Sequence, residues 1–140
     1  MLKINRLTDY ALVVLCSLAK RQGAILSSAE ISALVSLKAP TVSKILKILV
    51  KAGLVKSFRG IDGGYCLNKN ASLIFLSDVI RCFEGPVRMT NCGDSISIQA
   101  KCEYVNSCQI SSPWVKINQA IDAILEKVSI QDMAYNQVVL

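Results

Sequence analysis

Apolar residues recur at helical spacing along the opening of the chain. Leu7, Ala11, Val14, Leu15 and Leu18 fall on one face of a helix predicted over residues 5–20. Cys16 sits among them and reads as a packing residue. A capping signal follows. In Ser27-Ser28-Ala29-Glu30 the Ser27 hydroxyl can accept from the Glu30 amide while the Glu30 side chain reaches back. Leu26 and Ile31 occupy the positions of a hydrophobic staple, so a short helix is expected over roughly 28–36. A further helix opens near Pro40, whose missing N–H is harmless in a first turn. Val42, Ile45, Leu46 and Leu49 give it a buried stripe, and Gly53 stops it.

The pattern then changes. Leu54-Val55-Lys56-Ser57-Phe58 reads as a strand, residues 59–64 as a turn, and Tyr65-Cys66-Leu67 as the returning strand. A helical pair followed directly by a β-hairpin describes a winged helix-turn-helix. The competing reading is an ordinary helical hairpin with solubilising lysines. Gly60, Gly63 and Gly64 do not form a nucleotide phosphate loop, because such a loop must open a helix and here a strand follows.

In the second half, Ser77 is expected to cap a short helix from Asp78 to Glu84, with Val79, Ile80 and Phe83 inward and Cys82 in the core. Gly85-Pro86 end it. Residues 87–112 lack sustained periodicity. Pro113 then starts a long helix. Its Trp114, Ile117, Ile121, Ile124 and Val128 are spaced three, four, three and four apart, a heptad-like seam. Two repeats are too few for an independent coiled coil. The seam is predicted to meet its mate in a homodimer, the alternative being packing within the chain. From Ser129 onward the pattern is uninformative. The fold class expected is mostly α with a small β-hairpin wing. Residues 1–72 form the winged helix, 73–112 a connecting helix and cysteine loop, and 113–140 a dimerisation helix and tail.

Composition narrows the setting. With 52% hydrophobic residues the chain is not disordered. No run of 18 apolar residues suggests a membrane span, and Lys3, Arg6 and Asp9 interrupt any leader-like stretch, so a cytoplasmic protein is expected. Charge is split between the halves. Residues 1–70 hold 11 Lys/Arg against 3 Asp/Glu, and residues 71–140 hold 5 against 7. A basic half joined to a mildly acidic one suits a polyanion-binding module with an appended unit, although a solvated lysine surface has the same composition.

The candidate partner is a double-stranded DNA operator. Pro40, Thr41 and Ser43 open the second helix of the pair and are placed to meet base edges. Lys44, Lys47, Lys51 and Lys56 would neutralise phosphates. Arg59 at the wing tip would enter a narrow minor groove, where the potential is most negative. No histidine base, paired carboxylates or nucleophile motif stands out, so an enzyme is not expected.

The six cysteines and absent histidines point elsewhere. Three cysteines lie in the aperiodic stretch: Cys92, Cys102 and Cys108, with nine and then five residues between them. Structural zinc normally shows close Cys-x-x-Cys pairs, which are absent. Three thiolates on one loop, with a ligand from elsewhere, suit an iron–sulfur cluster. Free surface thiols and an oxidation-sensitive pair are the alternatives.

Taken together, these residues resemble the Rrf-two family of winged-helix regulators, which includes the IscR, NsrR and CymR types. The landmarks are Leu7-Thr8-Asp9-Tyr10-Ala11-Leu12, Gly53-Leu54-Val55, Arg59-Gly60 with Gly63-Gly64-Tyr65, Ser77-Asp78-Val79-Ile80, Glu84-Gly85-Pro86, and the three cysteines before Trp114. Trp114-Val115-Lys116-Ile117-Asn118 and Ile130-Gln131-Asp132-Met133 are similar to the branch that regulates SUF-type cluster assembly. The resemblance implies a homodimer with crossing long helices. It implies an iron–sulfur cluster, [2Fe–2S] or [4Fe–4S], on Cys92, Cys102 and Cys108. It also implies repression, or occasionally activation, of cluster-assembly or stress genes.

The chain departs from the family in two places. In the IscR branch a histidine shortly after the third cysteine completes the site; here that position falls at Ser111. In the nitric-oxide-sensing branch an aspartate in the partner's first helix does so, and Asp9 matches it. Asp9 is therefore the candidate fourth ligand, with Glu103, Asp94 and Ser111 as alternatives and first-turn helix stabilisation as its structural role. The IscR recognition helix also carries an acidic residue where Ser43 stands here, so its operator preferences do not transfer. Two rival functions remain: a thiol-redox-sensing regulator without a cluster, and a partner-binding module that uses the helix-turn-helix only as a scaffold.

Overall fold

The computed structural model describes residues 3–90, 102–104 and 106–140. Helix α1 spans Arg6–Ala19, and Asn5 caps it by accepting the Thr8 amide at 2.9 Å. Its Ala11, Val14, Leu15 and Leu18 are buried, as their spacing predicts. Helix α2 spans Ser28–Val35 and carries the expected capping box, with Ser27 and Glu30 bonding reciprocally. A three-residue turn leads to α3, Ala39–Lys51. Ser36 adopts the left-handed conformation there, and the Ser32 hydroxyl donates to the Leu37 carbonyl. The turn is thus pinned from inside α2.

Helix α3 buries Val42, Ile45, Leu46 and Leu49 against α1 and α2. Each such side chain contributes about 1.5–3 kcal/mol by leaving water. Gly53, at φ +75°, closes α3: its amide reaches Val50 and that of Leu54 reaches Leu49, both at 3.0 Å. That paired pattern is a Schellman stop.

Strands β1, Val55–Phe58, and β2, Gly64–Leu67, form one antiparallel hairpin, pairing Val55 with Leu67 and Phe58 with Gly64. Its base is tied to the segment before α2, where Leu26 and Tyr65 exchange bonds of 3.0 and 2.7 Å. A Cβ on Gly64 would lie 2.5 Å from the Leu26 carbonyl oxygen, so that close approach requires glycine.

A short 3-10 turn at Ala71–Leu73 leads to α4, Leu76–Glu84. Ser77 is not its cap, contrary to expectation. It lies inside the first turn and is buried, while Asp78 accepts the Phe75 amide at 3.1 Å and secures the helix start. Helix α5 spans Ser111–Leu125, opening two residues before Pro113. Val128 lies beyond its end and is buried, so it belongs to the core and not to the seam. Helix α6, Ile130–Tyr135, occupies the tail that carried no readable pattern. Ser129 caps it with Asp132, and Ile130 and Ala134 pack into the core formed with α1. The segments leading into α4 and α6 pair with each other, through Leu76 to Val128 and Ile130 to Ile74, both at 2.8 Å. The second half is thereby stitched to the first. No helix among the described residues is long and apolar enough to cross a membrane.

Candidate functional site

The amphipathic pattern of α3 turns its four aliphatic residues inward and leaves Pro40, Ser43, Lys44, Lys47 and Lys51 exposed, with Thr41 half-buried. Lys56 and Arg59 are exposed on the adjoining hairpin. Among the described residues none of these cations pairs with a carboxylate. Their charges remain available to an external polyanion, which raises local field and on-rate. Lys56 is partly ordered by Phe58, whose ring centroid lies 5.2 Å from its Nζ. Lys38 is also exposed, at the start of α3, and extends the basic face. Sequence reasoning passed over it because it stands outside the helical stripe.

The wing tip is a tight turn. Gly60 sits at φ +110°, and the Gly63 amide donates to the Gly60 carbonyl at 3.1 Å. A Cβ on Gly63 would fall 2.4 Å from the Phe58 carbonyl oxygen. These glycines therefore make the tip compact, within the turn expected over residues 59–64.

The cysteine loop is described in part. Cys102 and Cys108 are half-buried free thiols just before α5. Cys92, together with the alternative ligand Asp94, lies outside the described residues. Glu103 is exposed. The Ser111 hydroxyl donates to the Cys108 carbonyl at 3.0 Å, so ligation through it would cost that bond. Among the described residues no three Cys, Asp or Glu side chains gather closely enough to hold a metal ion. Within one chain, then, Asp9 does not join Cys102 and Cys108 in such a group. Thiols and a carboxylate are nevertheless donors that iron accepts.

Asp9 is exposed in the first turn of α1 and lines a groove of about 620 Å³ with Glu84, Arg88, Met89 and Ile121. A clamp that sequence reasoning missed holds the helix start beside it. Glu84, the last residue of α4, accepts the Asn5 amide at 2.9 Å and the Thr8 hydroxyl at 2.6 Å. The available signal was Thr8 itself, a polar residue on the apolar face of α1, here fully buried. On the far side of Gly85-Pro86, the Met89 amide donates to the buried Asn118 of α5 at 2.9 Å. The segment leading into the cysteine loop is thus fixed to α1 at one end and to α5 at the other.

Two of the remaining thiols, Cys16 and Cys82, differ in character. Burial pushes Cys16 up, opposed by nearby Lys20; burial and then the Asp78 charge push Cys82 up. Both favour the protonated, unreactive form, as packing residues should. Helix α5 leaves Ile117 and Ile124 exposed at 43% and 47%, while Trp114 and Ile121 are half-buried, so two of the four seam residues on the helix are uncovered within one chain.

The model of the Rrf2 family, described as an iron-dependent transcriptional regulator, matches residues 4–136. The HTH-type transcriptional regulator CymR of Bacillus subtilis is 30% identical over 134 residues, 95% of this chain and 90% of that protein. The regulator IscR of Xenorhabdus nematophila is 31% identical over 130 residues, 91% of this chain and 68% of that protein. The solved structure of B. subtilis CymR, titled the global cysteine regulator, superposes with a TM-score of 0.74 at 29% identity, covering 97% of this chain and 98% of that one.

Proposed function

The chain belongs to the Rrf2 family of DNA-binding transcription regulators, and on that premise we propose that it is a cytoplasmic homodimeric repressor governed by an iron–sulfur cluster. Cys92, Cys102 and Cys108 would hold the cluster, with Asp9 supplied by the partner subunit. The observation that carries this reading is the position of the half-buried Cys102 and Cys108. Their loop adjoins a segment bonded to both α1 and α5. When bound, such a cluster supplies a centre that oxidants or nitric oxide can dismantle. A carboxylate is a harder ligand than thiolate, which suits a labile sensor.

The chain's own residues would do the rest. Pro40, Thr41 and Ser43 meet base edges in the major groove, while Lys44, Lys47, Lys51 and Lys56 neutralise phosphates. Arg59 enters the minor groove. The α5 seam, open at Ile117 and Ile124, pairs two copies, so that two α3 helices meet successive major grooves. A cluster held by Cys92, Cys102 and Cys108 would then favour one spacing of the two reading heads. The controlled genes would be those of cluster assembly or stress response.

Anaerobic reconstitution with iron and sulfide tests this. Visible absorbance, bound iron and sulfide, and a DNA affinity that differs between loaded and stripped protein are expected. A colourless, iron-free protein after reconstitution would overturn the reading. A thiol-redox regulator is then the second reading. The likeness to CymR and the two free thiols at Cys102 and Cys108 favour it.

A further inference from the structure

Ile61 stands at the outermost point of the wing with its whole side chain in water, 104% exposed. It therefore contributes nothing to packing within the chain. The turn that carries it is tight. Gly60 is fixed at φ +110°, Gly63 bonds back to Gly60, and there is no room for a Cβ at Gly63. The hairpin base is anchored by the paired Leu26 and Tyr65. An anchored hairpin thus presents an isolated branched aliphatic group two residues from the exposed cation of Arg59 and next to the exposed anion of Asp62. The Asp62 charge opposes the approach of any duplex, and the Arg59 charge beside it offsets that cost.

We propose that Ile61 is a specificity-determining residue, an apolar wedge that admits A·T pairs and rejects G·C pairs where the wing meets the minor groove. This rests on the reading that places Arg59 in that groove. The minor-groove floor of an A·T pair offers only acceptors, whereas guanine adds the N2 amine as a projecting donor. An aliphatic group pressed over that amine strips its water and returns no acceptor, which leaves a buried donor unpaired. Over A·T pairs the same group meets no projecting amine, and the narrow groove also draws in Arg59. Apolar wedges in minor grooves are a general device of DNA-binding proteins. The recognition helix would read the major groove, and the wing would add a composition filter beside it.

The test uses a duplex selected from a random pool by the full-length chain, with the wing's contact located by minor-groove hydroxyl-radical protection. At that position A·T is replaced by G·C and by inosine·C. Inosine·C has the major-groove groups of G·C but lacks the N2 amine. The expected result is binding about five- to tenfold weaker with G·C and restored with inosine·C. Ile61→Ala and Ile61→Ser should bind the three duplexes within about twofold of one another. Asp62→Asn should tighten all three equally, because it changes charge and not the apolar contact. Ile61 is exposed, so these variants keep the wild-type melting temperature. Absence of wing-dependent minor-groove protection would overturn the placement of the wing in that groove, and the wedge with it; protection with equal wild-type binding to all three duplexes overturns the wedge alone. Discrimination that persists in Ile61→Ala overturns the wedge alone.

Discussion

Replacing Thr8 with valine removes one proton donor without emptying the space it fills. Thr8 is fully buried, and its hydroxyl lies 2.6 Å from Glu84 Oε1. A hydrogen bond to a charged acceptor contributes roughly 1.5–3 kcal/mol. Glu84 is exposed and still accepts from Asn5, so water can replace part of what is lost. The added methyl group is buried and offsets a little more. The expected loss is therefore about 1–2 kcal/mol, at the lower end of the range. For a chain of this size that corresponds to a melting temperature lower by roughly 3–8 °C. Urea titration followed by circular dichroism, at one fixed protein concentration, reads it directly. Thr8→Ser should retain most of the stability because it keeps the donor. Glu84→Gln alone and combined with Thr8→Val completes a double-mutant cycle, expected to show coupling above about 0.5 kcal/mol. A Thr8→Val protein within 0.5 kcal/mol of wild type, or a strictly additive cycle, refutes the clamp.

Three further outcomes follow from the same geometry. Gly64→Ala would force a Cβ against the Leu26 carbonyl and open the bridge that anchors the wing; a loss of about 2–3 kcal/mol is expected, and unchanged denaturation would contradict the tight approach. Lys47→Ala should weaken DNA binding across unrelated sequences and lower the salt slope by about one; a loss confined to one sequence would make Lys47 a base reader instead. Stability should fall in acid. Glu30 is held below its ordinary value by the Ser27 amide and then the Ser27 hydroxyl, and Asp132 by the Ser129 hydroxyl and then its amide. Because both folded values are depressed, their contribution is present above the unfolded carboxylate range, about pH 4, and is lost as pH drops through the lower folded values. A urea midpoint falling equally between pH 5 and pH 3 in a Glu30→Gln, Asp132→Asn double variant would assign the effect elsewhere.

Local rules made the first half readable. The capping box, the four-residue stripe of α3 and the glycine stop each act within a few residues, and all three are present. The exposed basic face followed from the same stripe. The second half depended on distant contacts. Ser77 looked like a cap because serine favours that position, but the cap bond goes to Asp78 and the core takes Ser77. Helix α6 is too short for a periodic signal, and it is fixed by a bridge between Phe75 and Ser129 across the chain. Val128 continued the seam numerically, yet the helix ends three residues earlier. The Glu84 clamp joins residues nearly eighty positions apart, and no local pattern encodes such a bond. Ile61 is the reverse case: its identity was plain, but only the tight glycine turn shows that it stands wholly in the open.

On the proposed reading, magnitudes decide which part of the molecule moves when the loop changes state. Coupling between two sites is typically about 1–3 kcal/mol. The Glu84 clamp, with its two hydrogen bonds, is of the same size, so breaking it during the switch would absorb most of the signal it is meant to transmit. The clamp must then survive in both states, and α1 and α4 act as one lever. Helix α5 is held more weakly. Arg81 reaches Asp122 at 2.6 Å and Glu126 at 2.7 Å, but all three side chains are a third or more open to water or nearly so. Exposed pairs of this kind contribute roughly 0–1 kcal/mol each. The bond from Met89 to Asn118 adds about 1 kcal/mol. A shift of α5 against α4 therefore fits within the coupling energy, whereas a break between α4 and α1 does not. Because α5 carries the seam that would join the two copies, a small rotation there changes the distance between the two α3 helices and leaves each reading head intact.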